Sequence, residues 1–351
     1  MNRLLLRRIA VLVTTGFIFS SSAFSQLNNV DFLRSAPADG VKFIQAYISP
    51  WANAFGAGLN GSWYNTAKPH KLGGFDVTFG VNVGIAPSSS ETFDLSTLNL
   101  SSNYSPNTGS VPTIAGPKNG SKAITYSESG YALTTFNTPA GTNWKYIPVP
   151  TLQAGIGLPL GTELKVRYIP SLPIKDGSVG LWGIGLMHSI MQYIPGNKLL
   201  PFDVSVFAGY TKLTGNVPLD MQPQSGYPNI ITLPLNNQNL DATIDALNIS
   251  AIASLSIPVL TVYGGLGYTK TNTNVTLSGN FPTPKLYGTS VEYRDDGVRM
   301  GSSFPKIDIE SFSGLRANIG IRVKLAVITI HADYTRAQYN VISTGLGVSF
   351  R

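Results

Sequence analysis

Hydrophobic and polar residues alternate with a period of two along much of this chain. Phe75, Val77, Phe79, Val81, Val83 and Ile85 fall on one side of the first such stretch, and Asp76, Thr78, Gly80, Asn82 and Gly84 on the other. In 315–325, Leu315, Ala317, Ile319, Ile321, Val323 and Leu325 oppose Arg316, Asn318, Gly320, Arg322 and Lys324, and the dyad returns in 326–335 and 341–350. Successive side chains of a strand point to opposite faces, so the pattern predicts β-strands. Segments 146–158, 162–170, 178–194, 201–213, 244–257 and 259–281 also fit, which makes about ten. Ala246 to Thr269 is uncharged and long enough for a membrane helix, but Pro258 and the alternation before it predict a hairpin of two strands.

Alternation alone does not separate a soluble β-sandwich from a membrane barrel, because both have one oily and one polar face. Composition and spacing break the tie. Of 351 residues only 12% are charged, against about 25% in a typical soluble domain, and the polar faces carry Gly, Ser, Thr and Asn rather than Lys and Glu. Tight links near 159–162, 195–200, 258 and 324–326 alternate with long ones at 87–145, 214–243 and 282–306, as short periplasmic turns alternate with external loops in outer-membrane barrels. Phe75, Tyr168, Tyr193, Phe202, Tyr210, Tyr268, Tyr334 and Phe350 sit near strand ends, where aromatic girdles meet lipid headgroups. The expected fold is all-β: an antiparallel transmembrane barrel of about ten strands (range eight to fourteen) over 73–351, bathed in outer-membrane lipid. The first long loop is expected to carry a small hairpin from the strand-like pieces 123–126 and 131–136.

The N-terminus reads as a targeting signal. Met1 to Arg8 is basic, Ile9 to Phe19 is a mostly apolar run, and Ala23-Phe24-Ser25 fits a cleavage site before Gln26. Residues 1–25 are therefore expected to be a cleaved signal peptide, directing export to the outer membrane of a Gram-negative bacterium. Cleavage removes Arg3, Arg7 and Arg8 and lowers the formal charge from +7 to +4; no basic stripe remains, so no nucleic-acid partner is expected. In the next segment, 26–72, Val41, Ile44, Tyr47, Ile48, Trp51 and Phe55 recur at helical spacing, with Asp39 placed to cap the start and Pro50 to interrupt. A short broken helix is expected there, either plugging the periplasmic opening or packing beneath it as a lid.

The run Trp63-Tyr64-Asn65-Thr66-Ala67-Lys68-Pro69-His70-Lys71 before the Phe75 strand, and Pro148-Val149-Pro150-Thr151-Leu152-Gln153 with Gly155 and Gly157, resemble an uncharacterised family of bacterial outer-membrane β-barrels. A helical segment ahead of an antiparallel barrel is also similar, in architecture, to the long-chain fatty-acid transporters of the outer membrane, which implies an N-terminal domain plugging the lumen. The strand that ends in Phe350 resembles the C-terminal signal read by the barrel assembly machinery, the partner expected during biogenesis.

Chemistry is sparse. The chain has no Cys and three His, which excludes thiolate metal sites and Cys nucleophiles, and no nucleotide, HExxH or EF-hand motif occurs; no cofactor or metal is expected. Glu163, Arg167, Asp203, Arg316, Arg322, Lys324, His331 and Asp333 fall on inferred lumenal faces. They read as an internal charge network, in which Asp203, Glu163 and Asp333 neutralise the cations, because buried charges require partners. A hydrolytic reading of His331 and Asp333 would need a nucleophile such as Ser343 or Thr335 in reach. Asp295, Asp296 and Glu292 read as hydrated surface acids. The expected role is passage or capture of a small compound, a hydrophobic one included, without enzymatic activity; the alternative is a structural or surface-binding barrel, and an outer-membrane hydrolase comes third.

Overall fold

The computed structural model describes residues 31–34, 36–174, 177–195, 200–309 and 312–350; the signal peptide assigned to 1–25 lies outside the described residues. Ten strands form the wall: β1 (Phe75–Ile85), β2 (Tyr146–Leu158), β3 (Thr162–Ile174), β4 (Gly177–Ser189), β5 (Phe202–Pro218), β6 (Asn239–Ser256), β7 (Leu260–Ser278), β8 (Ser313–Leu325), β9 (Ile328–Arg336) and β10 (Asn340–Phe350). Each pairs antiparallel with its neighbours in sequence, and β1 pairs with β10, with Phe75 opposite Phe350, so the sheet closes on itself. A short strand, Ile307–Ile309, adds to the far end of β7.

The two faces are inverted relative to a soluble protein. Outward positions expose Leu266, Leu315, Ile319, Ile330 and Leu346, with Leu315 83% accessible, while the inward Thr78, Asn82, Gln153, Asn248 and Thr271 are buried. Oil outside and polarity inside suit a bilayer around the barrel and not water. The expected all-β, ten-strand transmembrane barrel is therefore what the chain forms. Phe75 stacks on Phe350 at a ring separation of 5.0 Å at one rim, and Tyr268 and Tyr334 face outward towards the other. A closed ladder leaves no edge from which detergent can peel a strand. The unheated protein should therefore run as a compact band in dodecyl sulfate gels and shift only on boiling; identical migration of heated and unheated samples would contradict closure.

The connections after β2, β4, β6 and β8 lie at one end, the short-turn end, and the long loops 86–145, 219–238 and 279–312 at the other, which they share with the brief connections after β3 and β9. The expected hairpin is present as Ala123–Glu128 paired with Tyr131–Asn137. Boundaries differ in places: β3 runs on to Ile174 instead of 170, and β4 ends at Ser189 instead of 194. The two ends of the stretch 214–243 are strand, since β5 runs 17 residues to Pro218 and β6 begins at Asn239. A tilted strand crosses a bilayer in about 9–11 residues, so β5 to β7 project beyond it. There Thr214, Asn216, Asp241 and Thr243 point outward into water, and the oily half of the dyad ends before the strand does.

The N-terminal segment also differs from expectation. Helix α1 spans Pro37–Leu59 without a break, Pro50 included, and Asp39 is not its cap: Ala36 holds that position with no side-chain bond. Asp39 instead accepts from Lys42 Nζ at 2.8 Å and from the Ser101 N–H at 3.2 Å. Burial alone would lift its carboxyl, but these donors outweigh burial and hold it below the usual carboxylate range. A proline inside a helix costs about 3 kcal/mol; burial of Ile44, Tyr47 and Ile48 beside it, about 1.5–3 kcal/mol each, offsets that and keeps the helix whole.

Candidate functional site

Helix α1 stands among the long loops, at the opposite end from the connections after β2, β4, β6 and β8. Val41, Phe43, Ile44 and Ile48 share one buried cluster with Leu95, Ile114, Phe136, Phe281 and Ile307 from the loops. Tyr47 Oη donates to the Ala140 carbonyl at 2.8 Å, and Trp51 Nε1 to that of Trp144 at 3.0 Å. The last turns of α1 then enter the barrel, and residues 60–74 descend through the lumen to the short-turn end, where β1 begins. The descent is fixed by contacts in order: the Ala54 carbonyl lies against Gly84, Gly58 against Val149, Gly61 against Asn82 and Ser343, and Lys71 against Gly157. At Gly84 a Cβ would fall 1.9 Å from the Ala54 oxygen, so only glycine lets the helix seat there.

Every wall strand touches this lumenal segment. Arg167 of β3 donates to the carbonyls of Leu59 and Gly61 at 2.7 and 2.6 Å and to Gln153 of β2 at 2.9 Å, with its guanidinium 3.7 Å from the centre of the Trp63 ring. Arg316 of β8 donates to the Asn60 carbonyl at 2.7 Å and to Thr335 of β9 at 3.2 Å. Tyr64 Oη donates to Asn318 Oδ1 at 2.7 Å, the Ala67 N–H to Ser254 Oγ of β6 at 2.9 Å, and Ser205 Oγ of β5 to the Ala67 carbonyl at 2.5 Å. Trp63 and Tyr64 pack on Phe207, and Tyr64 on Tyr263 of β7. The wide lumen of a ten-strand sheet is thus filled by its own chain, as side chains alone fill narrower barrels.

This arrangement reassigns the charged residues. Glu163, Arg167, Arg316, Arg322, His331 and Asp333 are all buried inside, but the arginines are not neutralised as a block by the acids. Arg167 and Arg316 are spent on carbonyls of residues 59–61. Glu163 meets Lys165, whose Nζ donates to its Oε1, and His70, whose Nδ1 lies 3.0 Å from its Oε2. Asp333 accepts from Tyr263 Oη at 3.0 Å, and His331 lies opposite Arg322 in register and 3.5 Å from Asn65. Lys324 is only half-buried on β8, and Asp203, half-buried on β5, makes no salt bridge with another described residue. Asp295 accepts from the Thr232 and Leu233 N–H groups, Asp296 from Lys285 and Tyr287, and Glu292 pairs with Arg294, so these acids tie the outer loops together. Lys165 was missed, although Glu163, Lys165 and Arg167 alternate on one strand face and signal a shared interior.

Above the polar plug the inward face changes character. At the projecting ends of β5 to β7 the inward residues are Leu213, Val217, Leu240, Ile244 and Val275. Together with Ile48, Trp51, Ala52 and Phe55 of α1 they bound a cavity of about 150 Å³; of the polar residues that border it, Thr273 is on the inward face while Ser178 and Asn216 are on the outward faces of their strands, and no lining residue is charged. Ile48, Trp51, Ala52 and Phe55 stand at helical spacing on one face, so three of the anticipated plug residues, Ile48, Trp51 and Phe55, line this cavity instead of closing an opening.

A family model covering residues 1–350 matches this chain; its description is "Family of unknown function (DUF6588)". The chain belongs to that family. No curated protein matches it. Among solved structures it is similar to the attachment invasion locus protein Ail of Yersinia pestis, at 8% identity and a TM-score of 0.26 over 80% of this chain and 98% of that one. It is also similar to the translocator domain of the autotransporter NalP from Neisseria meningitidis, at 11% identity and 0.30 over 80% and 89%. The outer membrane protease OmpT of Escherichia coli aligns at 7% identity and 0.31 over 79% and 97%. Likeness at this level carries no argument about activity, and it does not show the anticipated resemblance to the fatty-acid transporters; the barrel stands on its own strand pairing.

Proposed function

We propose that this family member is a Gram-negative outer-membrane barrel that captures a small, neutral, apolar compound at its outer mouth, above a lumen closed by its own chain. The observation that carries this reading is the cavity between α1 and the projecting ends of β5 to β7. A space of about 150 Å³ walled by aliphatic and aromatic groups takes up guests of about the size of benzene. Without a charged residue in the lining, a carboxylate would be stranded there at a cost of several kcal/mol. Onward passage would require the lumenal segment to shift, so capture precedes any transport step. The filled lumen and the loop-packed helix equally support the alternative of a surface-binding barrel that moves nothing. The hydrolase reading lacks support: His331 is buried against Asn65 of the plug and Asp333 is turned to Tyr263, so neither opens onto a space for substrate.

Toluene titrated into the detergent-purified protein is expected to quench Trp51 and saturate at one equivalent, with octanoate binding at least about tenfold more weakly. Ala242→Phe, which fills the cavity from β6, should abolish the toluene response while leaving the heat-dependent gel shift intact. An unsaturable response, or one that survives in Ala242→Phe, would remove the capture reading and leave the surface-binding one.

A further inference from the structure

At the far end of the molecule, where the lumenal segment leaves the barrel, three ligating side chains converge from three places. His70 comes from the segment itself, Asp76 from β1 and Glu163 from β3. His70 Nδ1 lies 3.0 Å from Glu163 Oε2 and 3.8 Å from Asp76 Oδ1, and one donor atom from each residue lies within 4.8 Å of the other two. All three residues are more than nine-tenths buried.

Two further observations point to a ligand. Asp76 Oδ1 and His70 Nδ1 are buried with no aligned hydrogen-bond partner among the described residues, a costly state for such groups. In addition, His70 Nε2 is 3.1 Å from Ser349 Oγ. When Nε2–H donates to that hydroxyl, the Nδ1 lone pair is left facing two carboxylates, the arrangement by which an outer partner orients a metal-binding imidazole. A lone pair held against carboxylates is repulsive unless a cation sits between them. Lys165 does not fill the place, because its ammonium is bonded to the other oxygen of Glu163, while Glu163 Oε2 accepts from the His70 backbone N–H at 3.0 Å and keeps a second lone pair for an ion. Gly155 makes room: a Cβ there would stand 2.4 Å from Asp76 Oδ1 and 2.7 Å from Glu163 Oε1.

We propose that His70, Asp76 and Glu163 bind a divalent transition-metal ion of the zinc class, with a water in the fourth position. One imidazole and two carboxylates form a borderline donor set that suits Zn²⁺ and Co²⁺. Bonds of about 2.1 Å in a tetrahedron place donor atoms about 3.4 Å apart, within the spread seen here. The ion would bolt the exit of the lumenal segment to β1 and β3 at once, so metal occupancy would set how firmly the plug is held. This inference is independent of what the outer cavity binds.

The test uses the full, untagged protein purified in detergent with chelator and then dialysed. Co²⁺ is expected to bind at one per chain with visible d–d bands, to be displaced by Zn²⁺, and Zn²⁺ should raise the temperature of the gel shift. His70→Ala and Asp76→Asn should each weaken binding at least about tenfold, while His188→Ala and His331→Ala leave it unchanged. Because the chain has no cysteine, His70→Cys should add a thiolate-to-cobalt charge-transfer band found in no other variant, which locates the site even if His70→Ala fails to fold. Absence of stoichiometric Co²⁺ binding by the wild-type protein overturns the proposal, as does binding that persists in both His70→Ala and Asp76→Asn or a His70→Cys spectrum without the new band.

Discussion

Removal of residues 37–71 will turn a silent barrel into a conducting one. In planar bilayers the full-length protein is expected to show a flat baseline, because residues 54–71 touch every wall strand and fill the lumen with Trp63, Tyr64, Phe207, Tyr263 and Arg167. The shortened protein should give discrete single-channel steps. The wall survives the loss because its inward face at bilayer depth is polar: Thr78, Asn82, Thr151, Gln153, Asn248, Thr271 and Asn318 exchange contacts with the plug for contacts with water. A soluble protein that lost a core segment of this size would collapse, since its inner face would be oil. The gel shift of the shortened protein verifies that the barrel has closed. If it closes and the baseline stays flat, the segment does not seal the pore.

Arg167→Met should loosen the plug more than any other single wall substitution. Arg167 is fully buried and joins two plug carbonyls, the Gln153 side chain and the Trp63 ring through one planar fork. Methionine fills much of the volume but strands three buried acceptors, of which the two carbonyls, fixed in the backbone, cost about 1–3 kcal/mol each, and it removes the stacked cation. The expected total is about 3–5 kcal/mol, read as a lower urea midpoint and as current flicker in bilayers. Arg167→Lys should recover only part of this, since an ammonium is a point donor that does not reach both carbonyls in fork geometry. A midpoint equal to wild type in Arg167→Met would show that Arg167 does not fasten the segment.

The wall was legible from the sequence because direction along a strand is a local property. Residues 315–325 alternate whether or not their partners are known, and β8 appears in the structure as Ser313–Leu325. Legibility failed where alternation loses one of its two oils. At 214–243 the outward residues leave the bilayer and turn polar while the inward ones turn apolar, so the pattern fades although β5 and β6 continue. The helix was visible from Val41, Ile44, Ile48, Trp51 and Phe55, yet its place was not, because an amphipathic helix packs as well on apolar loops as under a rim.

The sequence by itself determined a closed, lipid-facing sheet: strand count, the identity of the oily face and the grouping of long loops follow from side-chain direction and composition, which neighbours along the chain carry. Tertiary structure alone decided what the polar face meets. Thr, Asn, Arg and Gly in dyad read the same whether they line water or clasp a strap of chain, and the bonds that distinguish the two join residues such as Asn60 to Arg316 and His70 to Ser349, far apart in sequence. The threading of 60–74 through the lumen, the cavity above it and the His70, Asp76 and Glu163 cluster below it all arise from such long-range pairings, which no local period encodes.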